Sequence, residues 1–151
     1  MELSWADLHH EDLTKAQLHT ILALRNRVFI VEQKSPYLDV DGRDLAGDTR
    51  HLLGESAGEL VAYARVLEPD PGDGQVRVGR VIVAEEARGA RIGRSVMVRA
   101  LVACETHWPG APVRISAQAH LRDFYGALGF HVIGDEYDED GIPHLDMLNR
   151  A

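Results

Sequence analysis

The chain's 151 residues, 45% of them apolar, suffice for one packed core and fall short of two comfortable domains, so a single domain over residues 1–151 is expected. Its 24 acidic and 16 basic side chains give a formal charge of -8, which argues against binding a nucleic-acid backbone and is compatible with a cationic substrate. One cysteine excludes an internal disulfide and any multi-cysteine metal site.

Met1 to Asp12 carries Glu2, Asp7, Glu11 and Asp12 where a signal peptide needs a basic region and an apolar run. No later stretch approaches the roughly 20 apolar residues of a membrane helix, so a cytoplasmic protein without membrane contact is expected. The first helix signal is a capping box, in which Thr14 and Gln17 can satisfy free amides at a helix start. Leu18, Ile21, Leu22, Val28 and Phe29 follow at helical spacing, and Arg25 falls on the same stripe. A charge on an apolar face needs a partner or a route to water, so a structural ion pair or a snorkelling side chain is expected of Arg25. The run from Asp39 to Asp44 invites a calcium reading, but it puts Asp44 and Arg50 where an EF-hand loop needs glycine and glutamate. Turn formation and local hydrogen bonds account for it better. With Asp135, Glu136, Asp138, Glu139 and Asp140, these acids could also rim a pocket for a cation, although a solvated surface is the simpler reading.

From His51 the periodicity becomes that of strands, with a hairpin predicted over His51 to Leu67 around Ala57-Gly58, and a break at Asp70 to Gly74. A strand over Val76 to Val83 carries a change of phase: simple alternation puts Val76 and Val78 on one face and Val81 and Val83 on the other. A bulge near Gly79-Arg80 explains this, as does a strand buried on both faces. A helix over Ile92 to Thr106 holds Cys104 among apolar residues, where a small buried side chain is expected. A strand at Val113 to Gln118, a short helix ending near Leu128 and Gly129, and strands near Phe130 to Tyr137 and His144 to Leu148 complete a mixed α/β pattern.

The stretch from Val81 to Ser95 runs from a strand through a turn containing Gly89 and Gly93 into a helix. Such a turn aims backbone amides and the positive helix end at a pyrophosphate, and Arg88, Arg91 and Arg94 add charge beside it. Glycine there lets a ligand approach the backbone. There is no G-x-G-x-x-G and no G-K-[ST], so neither the dinucleotide fingerprint nor the Walker pattern fits.

Val83 to Gly93 resembles the acetyl-CoA motif of the GNAT superfamily, [RQ]-x-x-G-x-[GA], with Arg88 first, Gly93 last and Arg91 at the middle glycine's place. Leu121 to Phe130 resembles the same superfamily's F-Y-x-x-x-G-F helix and strand. Further segments, Arg25 to Asp41, Gly79 to Val83, Ala117 to Leu121 and Glu139 to His144, are similar to the ElaA branch of these enzymes, so the resemblance covers nearly the whole chain. It implies the acyl-CoA N-acyltransferase fold: a central mixed, mostly antiparallel sheet flanked by helices, splayed between the fourth and fifth strands, with acetyl-CoA in the opening. It further implies that Val81, Ile82 and Val83 hold the pantetheine arm and supply an oxyanion donor. Arg88, Gly89, Ala90, Arg91, Ile92, Gly93, Arg94 and Ser95 would surround the pyrophosphate, and Gln118, Leu121, Phe124 and Tyr125 would complete the cofactor site.

On this resemblance the expected reaction is direct transfer of an acetyl group to a primary amine of a small molecule or peptide, with Tyr125 protonating the departing thiolate. The amine must first lose a proton, and Glu32, His51, His120 and His144 are the possible bases, acting directly or through water, with His120 and Glu32 ranked first. His9, His10, His19, His107 and His131 form no metal-site pattern, and no metal is expected. Other readings are an acyl-homoserine-lactone synthase, disfavoured by the F-Y-x-x-x-G-F motif, and a non-enzymatic acyl-CoA-binding module, disfavoured by Tyr125. A monomer or homodimer is expected.

Overall fold

The computed structural model describes residues 2–89 and 91–150. Its strands are β1 (Ser4–His9), β2 (Arg50–Ser56), β3 (Glu59–Leu67), β4 (Val76–Val83), β5 (Val113–Gln118), β6 (His131–Glu139) and β7 (Ile142–Asn149). They form one sheet in the order β1-β2-β3-β4-β5-β7-β6, in which every neighbouring pair is antiparallel except β4 and β5. That parallel pair is held at only two positions, Val76 opposite Val113 and Arg77 opposite Arg114. Beyond them the two strands part. The first strand was not expected: Ser4–His9 is half-buried, carries no apolar alternation and holds its place through its register on β2.

The expected bulge lies in β4. Between Tyr63 and Arg65, β3 spends two residue steps opposite the three steps from Ile82 to Gly79, and Arg80 takes a left-handed φ of 51°. The extra residue resets the alternation, so Val81 and Val83 return to the face of Val76 and Val78 and pack against the same core. The phase change in the sequence is therefore a bulge and not a strand buried evenly on both sides.

Each face of the sheet is covered by one long helix. On one side α2 (Ile92–His107) buries Val96, Met97, Ala100 and Cys104 against Ala62, Ala64, Val76, Ile115 and Met147. Burial pushes the Cys104 thiol up to about 12, so it is a packed, inert side chain. On the other side α1 (Lys15–Arg25) packs Ile21 and Leu24 against Leu53, Val61, Tyr63 and Ile82. Its capping box is formed: Gln17 N donates to Thr14 Oγ1 at 3.0 Å, and Thr14 N to Gln17 Oε1 at 2.9 Å. After Arg25 the chain widens into a π turn over Asn26–Glu32, then crosses the sheet without regular structure until β2.

That irregular crossing is fixed by a cage of charges. Arg25, fully buried, donates from Nε to Asp39 Oδ2 at 2.9 Å and from Nη1 to Asp44 Oδ1 at 2.5 Å. Arg65 of β3 grips both carboxylate oxygens of Asp41, at 2.8 and 2.9 Å, and reaches Asp44 Oδ1 at 3.1 Å. Arg80, on the bulge, places Nε 2.9 Å from Asp39 Oδ1 as an ion pair outside hydrogen-bond alignment, and Nη2 3.3 Å from Asp41 Oδ2. Arg25 thus has the structural ion pair expected of it. The aspartates keep the local bonds expected of turn formers, Asp41 Oδ1 accepting from Arg43 N at 3.0 Å, and are in addition neutralised by three arginines from distant parts of the chain.

Burial alone would favour the neutral acids, but the hydrogen bonds and charge of Arg25 and Arg65 outweigh it and hold Asp44 below the usual carboxylate range. Asp41 is depressed by the same balance, with Arg65 the main partner. His51, sealed between Asp44 O at 2.8 Å and Tyr63 Oη at 2.6 Å, has its basicity lowered by burial. Below about pH 6.5 the unfolded chain therefore protonates His51 where the folded chain resists, and below about pH 4 it does so at the aspartates. Stability should fall with pH through both windows. Removing one partner from a buried pair costs roughly 3–5 kcal/mol. Asp44→Ala is expected to lose about that much in urea denaturation, and to weaken the dependence of Tm on pH below about 4.

Candidate active site

Where β4 and β5 part, they open a cavity of about 580 Å³. Val78, Gly79 and Val81 line it from β4, and Ile115, Ala117 and Gln118 from β5. Phe29 of the π turn and Gln33, Ser35 and Tyr37 of the irregular crossing close it, while Glu139, Asp140 and His144 stand on the β6–β7 side. A second cavity of about 480 Å³ lies at the start of α2, lined by Val83, Arg88, Gly89, Arg91, Ile92, Gly93 and Arg94 and by Phe124 of α3 (Arg122–Gly126).

Backbone direction along β4 decides which polar groups face the gap. Ala84 N donates to Val61 O on β3 at 2.8 Å. Alternation then turns the N–H of Ile82 toward β3 as well, and those of Val81 and Val83 toward the gap. Val83 also points its carbonyl there, where it accepts from Arg88 Nε at 2.9 Å. Ile82 is one of the three residues expected to offer free amides, but its side chain is in the core beneath α1 and its amide turns away from the opening.

The turn before α2 has the shape its glycines suggest. Gly89 holds φ 93°, and Arg91, at the place of a motif glycine, holds a left-handed φ of 58° as the residue preceding the helix. The first amides of α2 are thereby presented at the cavity end, where the helix is positive. Arg91 and Arg94 line the same space; Ser95 lines neither cavity, and its Oγ turns back to Arg91 O at 3.4 Å. Ala90, also expected at the pyrophosphate, lies outside the described residues.

Tyr125 lines the larger cavity from α3, together with Leu121 from the 3-10 turn before that helix. Edge-on contacts to Phe124 at 5.0 Å and Phe130 at 6.0 Å fix the Tyr125 ring, and Phe130 N donates to its carbonyl at 3.2 Å. Burial pushes its phenol up, so the group stays protonated near neutral pH.

Neither of the two bases ranked first lines this cavity. His120 is exposed and lines neither cavity. Glu32 lines neither, and its Oε2 is engaged by Arg88 Nη2 at 2.9 Å. His51 is fully buried and both its ring nitrogens are bonded. His144 alone of the four lines the larger cavity. Gln33, Ser35, Tyr37 and Ser116 were not singled out for the site; strand parity on β5 and the path of the irregular crossing bring them there. His9 and His10, read as forming no metal pattern, do bring potential ligand atoms within 4.8 Å of each other and of Glu11. Both His9 ring nitrogens are already used, by Glu11 N and Asp48, and His10 Nε2 bonds Gly47 O.

Among protein families, the acetyltransferase (GNAT) domain matches residues 11–150. The chain belongs to the GNAT acetyltransferase family. Within it the chain is ElaA-like: it is 50% identical to the protein ElaA of Escherichia coli over 149 residues, covering 99% of this chain and 97% of ElaA. The crystal structure of E. coli ElaA superposes with a TM-score of 0.94 at 48% identity, covering 99% of this chain and 100% of the other. An acyl-CoA N-acyltransferase from Pseudomonas aeruginosa gives 0.95 at 49% identity, with 98% and 99% covered. The acyl-homoserine-lactone synthase LasI reaches 0.79 at 13% identity, over 99% of this chain and 90% of LasI, and shares the fold alone. This GNAT chain thus has the expected acyl-CoA N-acyltransferase fold, and none of its described helices is long and apolar enough to cross a membrane.

Gly93 gives the turn a direct test. A β-carbon there would meet only Val83 Cγ2 at 3.9 Å, an ordinary contact, yet it would stand in the cavity at the start of α2. Gly93→Val should leave the free protein's Tm within about 2 °C of wild type, as for a surface change. It should weaken coenzyme A binding at least tenfold by calorimetry, a loss of about 1.4 kcal/mol.

Proposed function

We propose that the chain is an acetyl-CoA-dependent N-acetyltransferase, one domain working in the cytoplasm, that acetylates a primary amine of a small molecule or peptide by direct attack in a ternary complex. The observation that carries this reading is the gap between β4 and β5, with the Val81 and Val83 amides on one wall and Tyr125 on the other. The family match and the P. aeruginosa acyltransferase support an acyl-CoA donor. The paired part of β4 and β5 ends at Arg77–Arg114, and Val78 and Ile115 line the cavity just beyond it.

In this reading pantetheine pairs along β4 as a missing strand would, and the pyrophosphate sits at Arg88 to Gly93 against the α2 amides. Its phosphates would compete with Glu32 for Arg88. The amine nitrogen attacks the thioester carbon, a C–N bond forms, and the oxyanion is met by the Val81 amide. As the C–S bond breaks, the thiolate takes the Tyr125 proton, and the phenolate recovers one from the nitrogen of the new amide.

At 100 times its dissociation constant, acetyl-CoA should stabilise the protein by about 2.7 kcal/mol, raising Tm by roughly 5–10 °C for a chain of this size; no shift at millimolar acetyl-CoA would refute the reading. Tyr125→Phe should lower kcat about 100-fold in a thiol-release assay while the dissociation constant for acetyl-CoA stays within twofold, since general acid catalysis contributes on that order. Undiminished kcat would remove Tyr125 from the acid role.

A further inference from the structure

The reaction just proposed needs a group that takes a proton from the incoming ammonium, and the residues ranked first for that task do not line the cavity. We propose that His144 accepts this proton through Nε2 and that Glu139 holds it there and passes it to solvent. The inference rests on the acyltransferase reading and goes beyond it by assigning a base and an exit path.

His144 sits on β7 between Gln118 of β5 and Tyr137 of β6, and its ring lines the cavity that Tyr125 also lines. It is only 8% exposed, so its surroundings dictate its protonation geometry. Nδ1 lies 2.8 Å from the carbonyl of Ile142, which can only accept. Nδ1 therefore carries the hydrogen, and the lone pair of the neutral ring is on Nε2. Nε2 lies 3.2 Å from Glu139 Oε2. In the neutral ring that contact faces one acceptor with another, outside hydrogen-bond alignment, and once Nε2 gains a proton it becomes an ion pair in which the carboxylate stabilises the imidazolium. The pair is built to receive one. Glu139 lines the cavity, and its side chain is 55% exposed, so a proton reaching the carboxylate is in contact with water.

The ring is also held in plane. Tyr137 stacks on it with centroids 6.0 Å apart and planes 28° from parallel. The Tyr137 hydroxyl is itself anchored, donating to Asp146 Oδ1 at 2.6 Å and meeting Ser116 Oγ, while Arg114 binds Asp146 at 2.5 Å. The other charged groups facing the cavity are Asp140, exposed beside Glu139, and Arg80, already paired with Asp39 and Asp41.

The protons balance. The ammonium gives one to His144 and thence, through Glu139, to solvent; the freed lone pair forms the C–N bond. The nitrogen's second departing proton replaces the one Tyr125 donates to the thiolate. The products are the amide, free coenzyme A and one released proton.

The test uses the full chain at neutral pH with saturating acetyl-CoA and two acceptors of nearly the same shape, ethylamine and 2,2,2-trifluoroethylamine. Fluorine makes the second ammonium far more acidic, so much of that amine needs no base. His144→Gln should lower kcat/KM for ethylamine roughly 100-fold, on the scale of general base catalysis, and for trifluoroethylamine by less than fivefold. Glu139→Gln, which acts through the histidine, should give the same selective loss more weakly, and Glu139→Asp should restore part of it. Equal losses on both amines, or none, overturn the proposal. Nitrogen-15 NMR of the wild-type imidazoles supplies a readout independent of acceptor and of variant folding. It should find the neutral His144 ring protonated on Nδ1, and a neutral ring protonated on Nε2 overturns the proposal. Failure of the underlying reading is separately visible as the absence of an acetyl-CoA thermal shift in the wild type.

Discussion

The parting of β4 from β5 is the constraint from which the rest of the structure follows. A sheet gains by pairing every interior N–H and C=O, and leaving such groups without partners in a dry place is costly. Here two register pairs hold the strands at one end, and no ladder follows. The bulge at Gly79–Arg80 gives the exit its direction, because the added residue restores Val81 and Val83 to the core side. Backbone alternation then leaves their amides facing the gap. A ligand with its own amides could complete the ladder, which is the use the proposed function makes of the opening.

The charge cage explains how so irregular a wall can be fixed. Between the π turn and β2 the chain has no helix or strand to order it. Three arginines and three aspartates take the place of an apolar core there, and Arg80 joins the cage directly to the bulge. Desolvating six charges is expensive, and an apolar cluster of similar size could be as stable. What charges add is direction: Arg65 meets Asp41 through both oxygens, and Asp39 also accepts from Tyr37, a residue on the cavity wall, at 2.9 Å. Arg80 lies over the same tyrosine ring, 5.5 Å from its centre. One network thus sets the bulge and this cavity wall together.

Much of this was legible in the sequence, and what was not shares a cause. Local signals read well: the Thr14–Gln17 cap, the strand ends at Val76 and Val83, the phase change at Gly79–Arg80, and the turn into α2. Each depends on residues a few positions apart. The strand Ser4–His9 was missed because its place comes from pairing with Arg50–Glu55, not from its own pattern. The aspartates from 39 to 44 were read without their partners because those partners are at positions 25, 65 and 80. The choice among Glu32, His51, His120 and His144 turns on which way each faces, a matter of strand parity and loop path that composition does not reveal. Resemblance to a family located the turn and Tyr125 but did not choose a base.

The most direct test of the account is residue-resolved amide hydrogen exchange with and without saturating acetyl-CoA. Slowed exchange at Val81 and Val83, with little change at Ile82, is the predicted result, because only the first two amides are turned toward the gap. Exchange at Val81 and Val83 that is unchanged while acetyl-CoA saturates the protein would contradict it.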